Sequence, residues 1–183
     1  PLPGYEEEAA VGGLLAYACR AAGSARKRES EAGALLLRLV HRVHFAQGGG
    51  GGGWGFAERE GDGTVVLIRS EQQDGTLAFI DSLCNLISNR IEAFSDAIEN
   101  LASAKTTEEE EGSKDDGQFP LVHGFLQTLH GIISEHDFSP LQGSGAAAQA
   151  HRQTWQPVVA RILGVAHRAL GVALRVVADP ENE

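Results

Sequence analysis

The sequence predicts an all-α fold, and three observations lead to this prediction. Several long stretches repeat apolar residues at steps of three and four, which is the period of an amphipathic helix. The connections between them are rich in Gly, Ser and acidic residues, which disfavour regular structure. Only residues 64–68 (TVVLI) have the composition of a strand, and one short strand has no partner with which to form a sheet.

The first 46 residues predict two helices. The first covers residues 7–22, which are rich in Ala, and the Gly23-Ser24 pair ends it. The second covers residues 26–46 and has a 3.6-residue apolar period. Its predicted apolar positions are Leu35, Leu36, Leu39, Val40 and Val43, with Arg38, His41 and Arg42 on the other side.

Residues 47–75 are predicted to be a flexible loop. The glycine run 48–53 cannot hold a regular element, because each glycine loses much backbone entropy on ordering. Trp54 and Phe56 follow this run, and we expect this aromatic pair to dock back onto the core.

The third helix is the clearest in the sequence, with Asp74 or Thr76 as its cap and a length of about 28 residues. Its apolar positions are Leu77, Ile80, Cys84, Ile87, Ile91, Phe94, Ile98 and Leu101. Residues 105–118 are acidic and predict a second flexible loop. Pro120 then opens a fourth helix, predicted over residues 121–136.

A fifth helix is predicted from Thr154, as N-cap, to about residue 178, after a third flexible loop at 137–152. It is apolar nearly all round, apart from a stripe formed by Arg161, Gly164, Arg168, Gly171 and Arg175. Its length would permit a membrane span, but each of three arginines would cost about 2.5–3.5 kcal/mol near the bilayer centre. We therefore expect a buried helix with neighbours on several sides, and no membrane.

Such a helix favours an armadillo/HEAT-like solenoid of antiparallel helix pairs, and a compact bundle is the alternative. The sequence contains no methionine and begins Pro1-Leu2-Pro3-Gly4, which predicts an internal fragment of a longer chain. Residues 1–183 would then form part of one larger helical-repeat domain.

The motifs of common active sites are missing from the sequence. His41 and His44, or His123 and His130, lack the converging ligands of a zinc site, and there is no HExxH or CxxC. The glycine run lacks the Lys and the preceding strand of a phosphate loop. We therefore predict no catalytic residue, no cofactor and no metal. Two isolated cysteines predict a reduced, intracellular and cytoplasmic setting.

Basic side chains are the best functional candidates in the sequence. The formal net charge of −10 argues against non-specific nucleic-acid binding by the whole surface, but not against a local basic face. One interpretation is that these side chains pair with acidic residues of a neighbouring helix. The other is that they contact phosphate or an acidic partner protein. The candidates are Arg161, Arg168, Arg175, Arg38, Arg42 and Lys27.

Three segments resemble the thyroid adenoma-associated (THADA) family. Residues 26–40 (RKRESEAGALLLRLV) are similar to a family helix of the form KREAGAL…RLIFR, and Trp54 matches an aromatic residue that follows it. Residues 119–129 (FPLVHGFLQTL) are similar to the family's VHG…L helix, and residues 155–179 resemble the next helix, which ends in VV(S/A)AD. The family's RRSAG(L/I)PF stretch is absent from this sequence.

The resemblance implies a large armadillo-type scaffold without catalysis of its own. It implies an FtsJ-like methyltransferase as partner, which adds a 2′-O-methyl group in the tRNA anticodon loop and carries the S-adenosylmethionine site. The chain would then be part of a regulatory subunit in tRNA processing, with tRNA as a further partner. A protein-only HEAT/armadillo-type adaptor without RNA contact is the alternative.

Overall fold

A computed structural model describes residues 5–46, 53–59, 64–71, 74–104 and 122–177 of the chain. Within these ranges it describes the side chains of all residues except 5–8, 97–104, 140 and 175–177. This part of the chain is mostly helical, with five α-helices and one small two-stranded sheet, and is compatible with the predicted all-α class.

The helices are α1 (Tyr5–Ala22), α2 (Lys27–Val40), α3 (Gly75–Ala104), α4 (His123–Glu135) and α5 (Ala146–Val177). A π-helical turn (His41–Phe45) continues α2, and a 3-10 turn (Ser139–Gln142) precedes α5. The strands are β1 (Trp54–Glu58) and β2 (Val65–Arg69). The predicted loop at 105–118 lies outside the described residues.

Two glycines mark the point at which α1, α2 and α4 meet. A Cβ on Gly33 of α2 would lie 2.6 Å from the carbonyl carbon of Ala21 and in contact with the backbone amide of Ala22, both on α1. A Cβ on Gly124 of α4 would lie 2.5 Å from the Ala22 carbonyl oxygen. The buried Ser30 hydroxyl donates to the same carbonyl at 3.0 Å. Backbones approach this closely only where the side chain is a hydrogen atom.

Helix α3 is the centre of the fold, and its prediction is confirmed. Asp74 caps it, because the Thr76 and Leu77 amides donate to Asp74 Oδ1 at 2.8 and 3.2 Å. The helix packs against β1, α4, α5 and the π-helical turn. Its predicted apolar positions from Leu77 to Ile91 are buried, whereas the side chains of Ile98 and Leu101 lie outside the described residues.

The predicted loop at 47–75 contains a β-hairpin in its described part. β1 and β2 pair antiparallel with Phe56 opposite Leu67, so the strand-like residues 64–68 do have a partner. Phe56 is buried, and its amide donates to the Ser82 hydroxyl of α3 at 2.9 Å. The expected docking of the aromatic pair is confirmed for Phe56, whereas Trp54 is half-buried beneath the Arg69 guanidinium, 4.0 Å from its ring. Gly55 and the adjoining glycines concealed the first strand from a pattern search.

The predicted buried face of α2 is wrong at three of its five positions, whereas Val40 is buried and Leu36 is half-buried against the core. Leu35, Leu39 and Val43 are 63%, 54% and 50% exposed, and together they form what we term the α2 row. The buried face consists of Ser30, Gly33, Ala34 and Leu37 together with the predicted Val40, and His41, which was predicted to lie on the other side, continues it. Small residues on this side allow α1 and α4 to approach, and the apolar pattern gave too much weight to the larger leucines.

The predicted start of α5 is also wrong. The helix begins at Ala146, so most of the predicted loop at 137–152 is helical, in the 3-10 turn and the first turns of α5. Thr154 does not cap it, because its hydroxyl donates to the Ala150 carbonyl one turn earlier, at 3.0 Å. Pro157 consequently lies inside the helix. The Ala146–Ala148 run has the highest intrinsic helix propensity, and it extends the helix toward its N-terminus.

Within the described part of the chain, helix α5 packs against α3 and the 3-10 turn and leaves its outer side exposed, which corrects the expectation of neighbours on several sides. The Trp155 ring contacts His136 and Phe138, which precede α5 in the chain. The buried residues of α5 are Ala148, Trp155, Val158, Val165, Ala169 and Val172. The opposite side carries four large exposed apolar residues, Val159, Leu163, Leu170 and Leu174. By length and composition alone, Ala146–Leu174 is the one described helix that could cross a membrane.

Helices two apart along the chain run in the same direction. The contacts of α2 with α4 rise together in sequence number, from Ser30 near Gly124 to Arg38 beside Glu135. The contacts of α3 with α5 do the same, from Asp81 with Arg161 to Glu92 with Arg168. Helix α3 runs in the opposite direction, because Thr76 in its first turn lies 3.2 Å from His41 at the end of α2, and Arg90 lies 5.0 Å from the Phe125 ring at the start of α4.

Candidate interaction surfaces

The predicted arginine stripe of α5 forms ion pairs with α3. Arg161 Nη1 pairs with Asp81 Oδ1, and Arg168 Nη1 lies 2.7 Å from Glu92 Oε1. This is the first of the two interpretations that the sequence left open. The side chain of Arg175 lies outside the described residues.

Glu135 at the end of α4 holds the two arginines of α2. Arg42 Nη2 lies 2.8 Å from Glu135 Oε2, and Arg38 Nη2 pairs with Oε1. Hydrogen bonds from Arg42 and from Arg38 lower the pKa of Glu135 below its usual value. Lys27, the remaining candidate, lies 4.0 Å from Glu31 within α2. Five of the six predicted contact residues thus have an acidic neighbour, with which a phosphate would compete.

A basic corner without such partners lies where α1 meets α2. Arg20, Arg26 and Arg28 are exposed, and none forms an ion pair with a described residue. The sequence signal was present in the Arg26-Lys27-Arg28 run. Sequence reasoning could not separate these cations from the paired ones, since the partners lie far along the chain.

A groove with a volume of about 570 Å³ lies between α2 and α4. Leu35 of the α2 row stands at its edge, and Arg38 crosses Gly131 of α4, where a Cβ would meet its side chain at 2.6 Å. The other lining residues are Glu31, Ala34, His123, Leu126, Gln127 and His130. Sequence analysis missed this groove because it had placed the leucines in the core.

A second cleft, of about 300 Å³, lies between the hairpin, α3 and α5. Its polar lining includes Arg69, Asp81, Asn85 and Arg161. The Arg161–Asp81 ion pair and the stacking of Arg69 on Trp54 already occupy most of these groups.

No group of three His, Cys, Asp or Glu residues in the described part of the chain is placed to hold a metal ion. Burial raises the pKa of the Cys19 thiol to about 12 and that of Cys84 to about 11. Both thiols are free and buried, so both remain protonated and unreactive at neutral pH.

The π-helical turn places a histidine in the core. His41 is 7% exposed, its Nε2 lies 3.2 Å from the Thr76 hydroxyl, and its ring contacts Phe79. Burial lowers the pKa of His41 to about 4, and this outweighs the opposing effect of Glu135. The fold therefore favours the neutral imidazole.

His41 is expected to make the chain less stable in mild acid. Its stabilising contribution is complete above its ordinary pKa of about 6.5 and is lost as the pH falls from there toward 4. By pH 5 the loss is on the order of 2 kcal/mol. The measurement is the free energy of unfolding by urea at a series of pH values, for the native chain and for His41→Gln. A native chain whose pH dependence equals that of His41→Gln would contradict the assignment.

The described fold defines a mostly helical protein with a small hairpin and uncovered apolar rows on two helices. Comparisons of the chain with protein-family models, with curated proteins and with solved structures found no match.

Proposed function

We propose that the chain is a non-catalytic helical scaffold, part of an armadillo/HEAT-like solenoid that binds an FtsJ-like methyltransferase acting on the tRNA anticodon loop. The observation that carries the docking role is the exposed α2 row beside the α2–α4 groove. The parallel course of α2 with α4, and of α3 with α5, supports the solenoid architecture. The methyltransferase and its reaction come from the family resemblance.

The α2 row has the properties of a helix-docking edge. Leu35, Leu39 and Val43 follow at steps of four along one side of α2 and its π-helical continuation. Exposed apolar rows next to a groove are typical of surfaces that receive a partner helix. Arg38, which pairs with Glu135, lines the groove and would give that helix a polar contact.

Replacing Leu35 and Leu39 by Glu is expected to weaken binding to a purified FtsJ-like methyltransferase about tenfold or more, because each Glu places a charge in an apolar contact. Pull-down and titration calorimetry with the methyltransferase of the source organism measure the effect. The matched control is Leu163→Glu with Leu170→Glu, which alters two equally exposed leucines on α5. Equal losses for both pairs would argue against the α2 row.

The pathway assignment has a separate test. Deletion of the gene is expected to abolish 2′-O-methylation in the tRNA anticodon loop, measured by mass spectrometry of tRNA fragments. Normal methylation in the deletion strain would refute the tRNA-modification role. If the α2 row then bound a protein other than the methyltransferase, the scaffold role would still hold.

A protein-only adaptor is the second candidate, and the ion pairs favour it. Asp81, Glu92 and Glu135 neutralise four of the predicted contact arginines. Salt-dependent tRNA binding that weakens on Arg161/Arg168/Arg175→Ala would contradict this candidate. Loss of tRNA binding only on Arg20/Arg26/Arg28→Ala would instead assign RNA contact to the basic corner.

A further inference from the structure

Basic side chains stand at both ends of the α2 row. Arg28 lies seven residues before Leu35 and Arg42 lies seven residues after it, so the helical period places all three on one side of α2 and its π-helical continuation. Arg28 is exposed, and the Arg42 side chain is 61% exposed. The two arginines are about 20 Å apart along the helix axis.

Both arginines keep hydrogen-bond donors for a partner. Arg28 forms no ion pair with a described residue. Arg42 donates to Glu135 Oε2 through Nε and Nη2, and its Nη1 has no acceptor in the described part of the chain. Glu135 also holds Arg38, so one carboxylate faces two guanidinium groups and this end of the row keeps an excess of positive charge.

The border of the α2 row is therefore basic, although the chain as a whole has a net charge of −10. Glu31 lines the groove at the other end of the row, and Lys27 lies 4.0 Å from it. Glu29 is directed to the loop before α2, where the Ser24 hydroxyl donates to it at 2.7 Å. Arg28 consequently has no acidic side chain that offsets its charge among the described residues.

We propose that the helix received by the α2 row is an acidic amphipathic helix, which places one carboxylate on Arg28 and another on Arg42. This inference rests on the docking role proposed above for the α2 row, but not on the identity of the methyltransferase. A helix of about four turns spans the two arginines, so its acidic positions are about 14 residues apart, with apolar residues between them. Opposite charges at both ends steer such a helix to the row and reject a basic one.

The apolar residues between the arginines favour a protein helix over a nucleic acid. A phosphate backbone could pair with Arg28 and Arg42, but it has no apolar surface to cover Leu35 and Leu39, which are 63% and 54% exposed. An apolar helix with a carboxylate near each end matches both the charges and the leucines.

Two synthetic helical peptides of about 21 residues provide the test. Both carry leucines at steps of three and four, and they differ only at two positions about 14 residues apart, which are Glu in one peptide and Lys in the other. The 183-residue chain is expected to bind the Glu peptide about tenfold more tightly at low salt, with a smaller difference at high salt. Fluorescence anisotropy of labelled peptides measures both affinities. Equal binding of the two peptides, or no binding of the Glu peptide, would overturn the proposal.

Charge reversal of the chain tests the two arginines. Arg28→Glu with Arg42→Glu is expected to make the chain prefer the Lys peptide, whereas the control Arg20→Glu, at an exposed arginine of α1, is expected to leave the preference unchanged. Circular dichroism checks that each variant is folded. Arg28→Glu alone is expected to lower the preference about threefold, and it removes no ion pair of the described fold. A double variant that still prefers the Glu peptide would contradict the assignment.

The outcomes separate this inference from the proposed function. If the Glu peptide binds and the methyltransferase does not, the acidic helix holds and the partner assigned above is wrong. If methyltransferase binding depends on Leu35 and Leu39 but not on Arg28 and Arg42, the docking role holds and the acidic helix is wrong. Binding of tRNA that requires the two arginines but not the two leucines would also refute the acidic helix and assign the arginines to phosphate.

Discussion

A chain carrying Phe79→Ala is expected to lose about 3–5 kcal/mol of unfolding free energy, the range for removing a fully buried aromatic ring. Phe79 has no exposed surface. Its ring centroid lies 4.9 Å from that of Phe45 and 5.0 Å from that of Phe56, and the His41 ring is 5.2 Å away. The π-helical turn and the hairpin therefore both meet α3 at this one ring.

The measurement is equilibrium unfolding in urea, followed by circular dichroism at 222 nm. The matched control is Phe94→Ala, the same change on the same helix at a half-buried position. Its expected cost is about 1–2 kcal/mol, because less apolar surface leaves water there on folding. Equal losses for the two variants would show that the hairpin and the π-helical turn do not depend on Phe79.

Gly33→Ala is expected to cost about 3 kcal/mol, although alanine favours a helix over glycine by about 1 kcal/mol. Its Cβ would enter the backbone of α1 at Ala21 and Ala22, and a backbone atom cannot rotate away as a side chain can. Helices α1 and α2 would have to separate, and the Ser30 hydrogen bond to Ala22 would lengthen with them.

Gly13→Ala is the control for this change, because a Cβ there has no neighbour within 4 Å. It is expected to raise the unfolding free energy by up to about 1 kcal/mol through helix propensity alone. Both variants replace one helical glycine by alanine. The difference between their unfolding free energies therefore isolates the close contact of α1 with α2. A Gly33→Ala chain as stable as the native one would mean that the two helices do not touch at this point.

Helix α3 could be predicted well because three signals agree in it. The apolar period, the capping Asp74 and the absence of proline all indicate one long helix, and α3 buries the side that the pattern indicates. Where local signals agree with the tertiary contacts, a single sequence is sufficient.

The α2 side was mispredicted because the contact uses small residues. Gly33 and Ala34 contribute little to an apolar pattern because their side chains are small. They nevertheless let α1 and α4 pack closely against α2, and the larger leucines beside them are left exposed. The start of α5 was mispredicted for a related reason, since Thr154 and Pro157 imitate a helix beginning that the alanine run overrides. The distance between packed helices decided which side of α2 is buried, and the helix propensity of a whole segment decided where α5 begins. Neither quantity can be read from the type of a single residue.

The candidate surfaces, too, could be predicted only in part from the sequence. The arginines could be picked out from the sequence, but their acidic partners lie 76 to 97 residues away, and only the fold brings them together. The α2–α4 groove could not be predicted, because it depends on which side of α2 is buried. The exposed leucines of α5 were recognised as apolar and were assigned to the interior.

The π-helical turn at His41–Phe45 sets the rotational phase of the chain that follows α2. The Ala46 amide donates to the His41 carbonyl five residues earlier, at 2.8 Å, whereas an α-helix would use four. Deletion of a single residue here would restore the α-helical spacing and rotate the following side chains by about 100°. Phe45 would then leave the Phe79 ring. During evolution, a length change of one residue at this turn is therefore expected to accompany a change at position 79, so that the two sites vary together.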